Sequence, residues 1–531
     1  MFRIHPSRGA LLVTALLAGC ASMPAQHRPR PPPVALEHAP NAELATPFAA
    51  GQAAHPELSG YHLYSVGIDG LLLRLELIAR AQSTLDLQYY IFHGDESGRI
   101  VTEALLAAAR RGVRLRLLVD DGESEPGDEQ LLALAGDPHV SIRFYNPFRY
   151  RGHNRIARAV EFLFGKRRLD HRMHNKLFVA DGEAALIGGR NIGDQYFQVE
   201  PDSQFADDDV FVTGPMVPRL TQAFEQYWNS EFAVPAEFLT RAKQRDQAAA
   251  AQLAARHTEP VKATHADPAY PRKLAAGEPL ADLLAGTSPV NWAQGELAVD
   301  DPDKWHVAAG QRAGSFMFDD VARAIRGAQR EVLMITPYLI PSREELALLE
   351  ERAAAERRLR VLTTSMEATN DPLAQAGYMH YRTSLLKAGV QIYELRARPQ
   401  STRGSGQSAR LTRLGNFSLH AKLLVFDRSS AFVGSMNFDA RSHRLNTEIG
   451  VIVHSPPLAA QIAQRFDALT SPQNAYAVSL EDGSSGLGTP HLVWSGENDG
   501  VPVRLTKESA RSAWQRLEVH ALTLLPLDPE L

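Results

Sequence analysis

The sequence predicts an α/β protein built from two similar halves. Three observations carry that expectation. Helical and strand-like patterns alternate along most of the chain, which suits a sheet covered on both faces. With 531 residues, the chain is long enough for two or more domain-sized cores. Finally, the stretch from His174 to Asn191 returns from His420 to Asn437, with the surrounding elements in the same order.

In the first half, Leu71 to Ala81 has helical periodicity and Leu85 to Phe92 reads as a strand. Gly98 to Arg111 reads as a helix ended by Gly112, and Val113 to Val119 and Val140 to Tyr145 as buried strands. The second half repeats this order. Val321 to Ala328 is helical, Val332 to Leu339 a strand, Arg343 to Glu356 a helix and Leu359 to Thr363 a strand. Tyr378 to Lys387 is a helix ended by Gly389, and Val390 to Leu395 is the next strand. Residues 236–310, with an Ala/Gln run from Gln247 to Arg256, read as a helix plus a long connection. Residues 396–413, rich in Arg, Ser and Gly, read as a loop that either meets an anionic group or is simply solvated.

The repeated stretches match where chemistry is possible. Counted from each His, Lys falls at +2, Asp at +7, Gly at +14 and Asn at +17, in copies 246 residues apart. A short strand follows each His, and alternation places His174 and Lys176 on one face, as it does His420 and Lys422. Asp181-Gly182 signals a hairpin, and Ala184 to Ile187 the returning strand. Asn191 and Asn437 should emerge near the mouth of each hairpin. Each copy thus offers an imidazole, an ammonium and a carboxamide around one point. An imidazole can act as nucleophile or as general acid and base near neutral pH, while Lys and Asn donate to phosphoryl oxygens. Two such sets facing each other could carry out in-line displacement at a phosphodiester.

The duplicated His-x-Lys-x4-Asp pattern, each copy followed by Gly-x-x-Asn, resembles the phospholipase D superfamily. The stretches Leu85 to Phe92, Arg172 to Phe197, Gly377 to Leu395 and Leu419 to Val451 resemble its bacterial cardiolipin synthase C branch. The resemblance implies two pseudo-symmetric α-β-α sandwich domains with the active site at their interface. It also implies that one His attacks phosphorus while the other protonates the leaving alcohol. The family's usual asymmetry makes His174 the nucleophile and His420 the acid and base. Lys176, Lys422, Asn191 and Asn437 would bind the phosphate. Asp181 and Asp427 complete the catalytic motif, yet look structural, held by salt bridges away from the phosphate. Glu448 would orient one His ring and Asp207 the other, with Asp209 as the alternative to Asp207. No cofactor and no metal are expected, and His153 and His171 read as ordinary polar residues.

The N-terminus adds a location. Arg3 and Arg8 precede a short apolar run, Ala10 to Ala18, and Leu-Ala-Gly-Cys ends at Cys20, the single cysteine of the chain. The run is too short to span a bilayer and has signal-peptide form. The tetrapeptide resembles the lipobox of bacterial lipoproteins, which implies lipidation of Cys20. Ala21 after it implies the outer membrane, facing the periplasm. The expected organisation is a signal peptide over 1–19, a Pro/Ala-rich tether over 20–58 and a first phospholipase D-like domain over 59–235. A connection over 236–310, a second such domain over 311–475 and a C-terminal extension over 476–531 follow. The partners that the resemblance implies are phospholipids, phosphatidylglycerol as acceptor and phosphatidylethanolamine as a candidate donor, with the membrane reached through the N-terminal lipid. A formal net charge of −5 gives no global pull toward nucleic acid, and none is expected. The leading expectation is a phosphatidyl transferase making cardiolipin. A phospholipase D-type hydrolase, a nuclease and a non-catalytic lipid-binding lipoprotein remain open beside it.

Overall fold

A computed structural model describes residues 42–122, 131, 134–150, 154–199, 203–239, 278–308, 310, 314–397, 416–483 and 488–524. Cys20, His153, the Gln247 to Arg256 run and most of the 396–413 loop lie outside them. Helix α1 (Ala42–Ala54) occupies part of the stretch expected to be a plain tether, because its Leu44 and Phe48 are buried in the first core.

The first half then runs β1 (Ser59–Tyr64), α2 (Gly67–Arg80), β2 (Thr84–Tyr89), α3 (Glu96–Arg110), β3 (Arg114–Asp120) and β4 (Val140–Tyr145). Helix α4 (Arg155–Leu169) leads into β5 (Leu177–Ala180), β6 (Ala184–Gly188), β7 (Ser203–Ala206), β8 (Asp209–Thr213), α5 (Met216–Trp228) and β9 (Ala233–Pro235). Strands β2, β3 and β4 are parallel, and β5, β6, β8 and β1 continue the sheet antiparallel from β2.

Between the halves lie α6 (Glu278–Leu284), β10 (Asn291–Val299) and α7 (Lys304–Ala308). The expected long connection is therefore partly sheet. Strand β10 pairs with β1 through Asn291–Ala293 and with β19 (Ile449–His454) through the rest of its length, so one continuous sheet crosses both halves.

The second half repeats the first. It runs α8 (Met317–Gly327), β11 (Glu331–Ile335), β12 (Leu339–Ile340), α9 (Arg343–Ala354), β13 (Arg358–Thr364), α10 (Pro372–Lys387) and β14 (Gln391–Leu395). Then come β15 (Asn416–Leu419), β16 (Leu423–Phe426), β17 (Ser430–Gly434), β18 (Phe438–Asp439), α11 (Ala440–Arg444), β19 and α12 (Pro456–Leu469). The expected single strand from Val332 to Leu339 is interrupted; Pro337 lies in the gap, and a proline cannot donate to a ladder. The order β14-β13-β11-β16-β17-β19-β10 matches β4-β3-β2-β5-β6-β8-β1 in both sequence and direction. The C-terminal extension adds β20 (Ala475–Gly483), β21 (Gly488–Asn498) and β22 (Val501–Leu505) beside β14, and α13 (Ala513–Leu522) against α10.

Strand alternation divides each motif strand between two cores. Phe178 and Ala180 of β5 point into the first half's own core, and Leu424 and Phe426 of β16 into the second's. Leu177, Val179, Leu423 and Val425 point the other way, into a core shared by both halves and closed by α5 and α12. The shared core fixes the two motif strands against one another.

Candidate active site

The segments entering both histidines cross between the halves. Met173 bridges to Thr447, and β15 pairs in parallel with β7, so that Leu419 lies opposite Ala206. In each case the residue before a His pairs with the residue before an acid of the other half. Backbone bonds extend the pattern: His174 N–H donates to Thr447 O at 2.9 Å, and His420 N–H to Ala206 O at 2.9 Å. The next residue is therefore delivered to the ring. His174 Nδ1 lies 2.9 and 3.1 Å from the two Glu448 oxygens. His420 Nδ1 lies 2.6 Å from Asp207 Oδ2. Each imidazole thus faces a carboxylate from the opposite half, a crossing that the sequence reading did not specify. A carboxylate on Nδ1 fixes the proton there and leaves Nε2 as the reactive nitrogen.

The three consecutive aspartates divide their partners. Asp208 takes Ser65 and, across the halves, Arg465 at 3.1 Å. Asp209, the alternative orienting acid, pairs with Arg74 at 2.9 Å and Arg190 at 3.2 Å instead.

Lys176 Nζ donates to His174 O at 2.6 Å and lies over the Tyr90 ring, while Lys422 Nζ donates to His420 O and sits 2.9 Å from His420 Nδ1. Asn191 accepts from Ile91 N–H at 3.1 Å and donates to Tyr196 OH at 2.9 Å. Asn437 is buried, and its Oδ1 has no hydrogen-bond partner among the described residues. Aromatic rings wall the site: Tyr90 meets His174 edge-on, Tyr196 meets His420 edge-on and Phe205 stacks on His420.

Asp181 and Asp427 lie elsewhere. The intervening four-residue strand alone spans about 13 Å. Asp181 accepts from the amides of Gln82, Ser83 and Thr84 and from the Ser83 hydroxyl. Asp427 accepts from the amides of Gln329, Arg330 and Glu331. Backbone amides supply these contacts, and they pin the start of β2 and β11. None of these contacts reaches the His–Lys set.

Burial dominates the electrostatics. It pushes His420 down to about 3, with Lys422 adding to the effect, and pushes His174 well below the usual range, with Lys176 and Lys422 helping. Burial likewise lowers Lys422 to about 8 and holds Lys176 well below its usual range. Lys422 acts on His174, and Lys176 on His420, so the two motifs share one field. The carboxylates diverge. Burial raises Glu448 to about 7 against the pull of Lys176 and the Ser435 hydroxyl. Burial also pushes Asp207 up, but His420, Lys422 and Arg190 outweigh it and hold this acid below its usual range.

Several residues of the site carried no sequence signal. Ser435 and Ser442 donate to the two oxygens of Glu448. Asp300 accepts from Glu448 N–H at 2.9 Å, and Lys304 ties Asp300 to the carbonyls of Ser442 and Asn446. Both Asp300 and Lys304 come from the stretch read as a connection, where no periodicity or motif marked them.

Residues 75–228 and 321–470 match the family described as cardiolipin synthase, PLD-like domain. Cardiolipin synthase C of Escherichia coli (strain K12) is 34% identical over 89% of this chain and 96% of that protein. The major cardiolipin synthase ClsA of Bacillus subtilis (strain 168) is 25% identical over 78% of this chain and 70% of its own length. This chain belongs to the phospholipase D superfamily. It carries two copies of the superfamily's domain and is an enzyme of its phosphodiesterase and phosphatidyltransferase class. The fold is shared with phosphatidylserine synthase of Haemophilus influenzae Rd KW20, at TM-score 0.52 and 13% identity over 81% of this chain and 92% of that one. Among the described residues, no helix is long and apolar enough to cross a membrane.

Proposed function

We propose that this enzyme moves a phosphatidyl group onto the hydroxyl of a second phospholipid, giving cardiolipin, by way of a phosphohistidine. The observation that carries the reading is the crossed pairing: two imidazoles from separate halves, each on a carboxylate of the other, around two buried ammoniums. An anionic diester entering this field favours the charged forms that burial suppresses.

His174, its Nδ1 proton held by Glu448, attacks phosphorus through Nε2. The bond from phosphorus to the leaving alcohol breaks, and imidazolium His420 gives its Nε2 proton to that oxygen. The acceptor lipid's hydroxyl then returns a proton to His420 and attacks phosphorus, and the P–N bond breaks. Lys176, Lys422 and the Asn437 carboxamide donate to the phosphoryl oxygens; Asn191, expected to join them, has both ends of its carboxamide engaged by Ile91 and Tyr196 and instead positions Tyr196 beside His420. The divergence of the acids supports this assignment of roles. Asp207, held ionised, favours an imidazolium on His420. Glu448, whose charge is shared among His174 and the Ser435 and Ser442 hydroxyls, leaves His174 an uncharged nucleophile.

The substrates in this reading are phosphatidylglycerol as acceptor and phosphatidylglycerol or phosphatidylethanolamine as donor. Residues 1–19 act as a signal peptide and Cys20 as a lipid anchor in the cell envelope. Purified enzyme given phosphatidylglycerol vesicles is expected to make cardiolipin and glycerol. Phosphatidic acid as the sole product would show hydrolysis instead. In cells, lipid mass spectrometry should find cardiolipin raised by the wild type and not by His420→Ala; no change in any phospholipid class would reject the proposal.

A further inference from the structure

Helix α4 is turned inside out. Ile156, Val160, Leu163 and Phe164 recur at helical spacing and form an apolar stripe, the kind that normally faces a core. Here the stripe faces solvent, with Ile156 75% exposed, Leu163 72% and Phe164 87%. Helix α13 repeats the pattern through Trp514 at 72%, Leu517 at 60% and Leu524, just past its end, at 85%. Isolated exposed apolar residues are ordinary, but two contiguous stripes are not.

Both helices stand at the same end of the duplicated sheet. Arg158 of α4 donates to the carbonyls of Asp121 and Gly122, just past the C-terminal end of β3. Asp120 at that end holds Met173 N–H at 2.8 Å and Arg172 at 3.1 Å, the residues entering His174. On α13, Gln515 donates to Met366 O at 2.7 Å, and the preceding Arg511 donates to Thr369 O, just past the end of β13. Ala368 in that loop accepts from Ser418, two residues before His420. Strands β3 and β13 are pseudo-symmetric equivalents, so α4 and α13 flank the approach to the two imidazoles. Exposed cations accompany both stripes: Arg149, Lys166 and Arg167 at α4, Lys507 and Arg511 at α13, against Glu518 on the latter.

We propose that α4 and α13 form a two-point platform seating the enzyme on an anionic phospholipid surface, with the mouth of the active site turned toward the headgroups. Apolar side chains enter the boundary of headgroups and acyl chains, Trp514 lies at the depth that indole prefers, and the cations meet lipid phosphates. The proposal rests on the reading that the substrate is a phospholipid, and it assigns the surface from which that substrate is drawn.

The test uses the full chain with Cys20→Ser, so that no lipid at that residue supplies the binding. Flotation with phosphatidylglycerol/phosphatidylethanolamine vesicles is compared for this protein, Leu163→Ser/Phe164→Ser, Trp514→Ser/Leu517→Ser and the milder Phe164→Gln. The double variants are expected to lose vesicle affinity by about tenfold or more and vesicle turnover in parallel. Turnover of dihexanoyl phosphatidylglycerol below its micelle concentration should stay unchanged. Vesicle binding equal to that of the unsubstituted surface would overturn the platform. So would a dimer, seen by sedimentation, that the substitutions dissociate without altering vesicle binding, since the stripes would then face a second copy. Failure of every protein to turn over either lipid form would reject the proposed activity, while flotation would still decide the platform on its own.

Discussion

Asp207 and Glu448 reach their rings from unequal surroundings. Asp207 follows a full strand, β7, and packs against Gly189, where an added Cβ would stand 2.1 Å from its Oδ1. At the position equivalent to Gly189 the second half has Ser435, whose hydroxyl bonds Glu448. Sixteen residues separate Asn191 from Asp207, and eleven separate Asn437 from Glu448. The longer excursion supplies Phe205, which stacks on His420; the shorter one supplies Ser442, which donates to Glu448. The symmetry of the strands therefore sets where the rings meet, and the unequal returns set what surrounds each acid.

The histidines should give the largest effects. His174→Ala and His420→Ala are each expected to lower transfer by about 10,000-fold or more. Only His420→Ala should still form a phosphorylated histidine, detected by mass spectrometry of acid-labile adducts. Label trapped on His420 in His174→Ala would exchange the two roles.

Next come the acids. Asp207→Asn and Glu448→Gln should each cost about 100- to 10,000-fold in kcat. Their effects on stability should run in opposite directions with pH. Glu448 is raised from 4.5 to about 7, so its contribution is full below about pH 4.5 and is lost as pH rises to about 7. Asp207 is lowered, so its contribution is present above pH 3.8 and is lost as pH falls. Melting curves should therefore show Glu448→Gln gaining on the wild type between about pH 4.5 and 7. Asp207→Asn should lose its deficit only in acid. Parallel curves for the two variants would contradict the divergence.

Lys304→Met should lower stability by about 3 kcal/mol, because it leaves buried Asp300 and two carbonyls without their cation. It should lower kcat with little change in KM, since Asp300 holds the backbone of Glu448 rather than the substrate.

Smallest are the motif aspartates. Asp181→Ala, at a fully buried site, should cost about 3 kcal/mol, and Asp427→Ala, nearer the surface, about 1. Chemical denaturation measures both, and kcat in the folded variants should stay within a few-fold.

The sequence displayed what repeats and hid what joins. Periodicity located β2, β3, β4 and their counterparts because their apolar residues alternate or run continuously. Spacing exposed His174, Lys176, His420 and Lys422 because the same offsets occur twice. Helix α1 escaped because Pro47 and scattered alanines gave it no apolar stripe, and Leu44 and Phe48 alone bury it. Strand β10 escaped because most of its residues are only partly buried and its partners lie in different halves. The crossing of the carboxylates escaped for the same reason. A short-range pattern records its own strand, not the strand of the other half that it will meet.

The exchange of acids across the pseudo-dyad has a corollary for divergence. Two identical copies of one half would place the same acid on both rings, and any substitution would appear twice. Here each imidazole answers to a separate codon in the opposite half, so the two rings can be tuned one at a time. Severing the chain between the halves would then leave each fragment with an imidazole that has lost the carboxylate facing it.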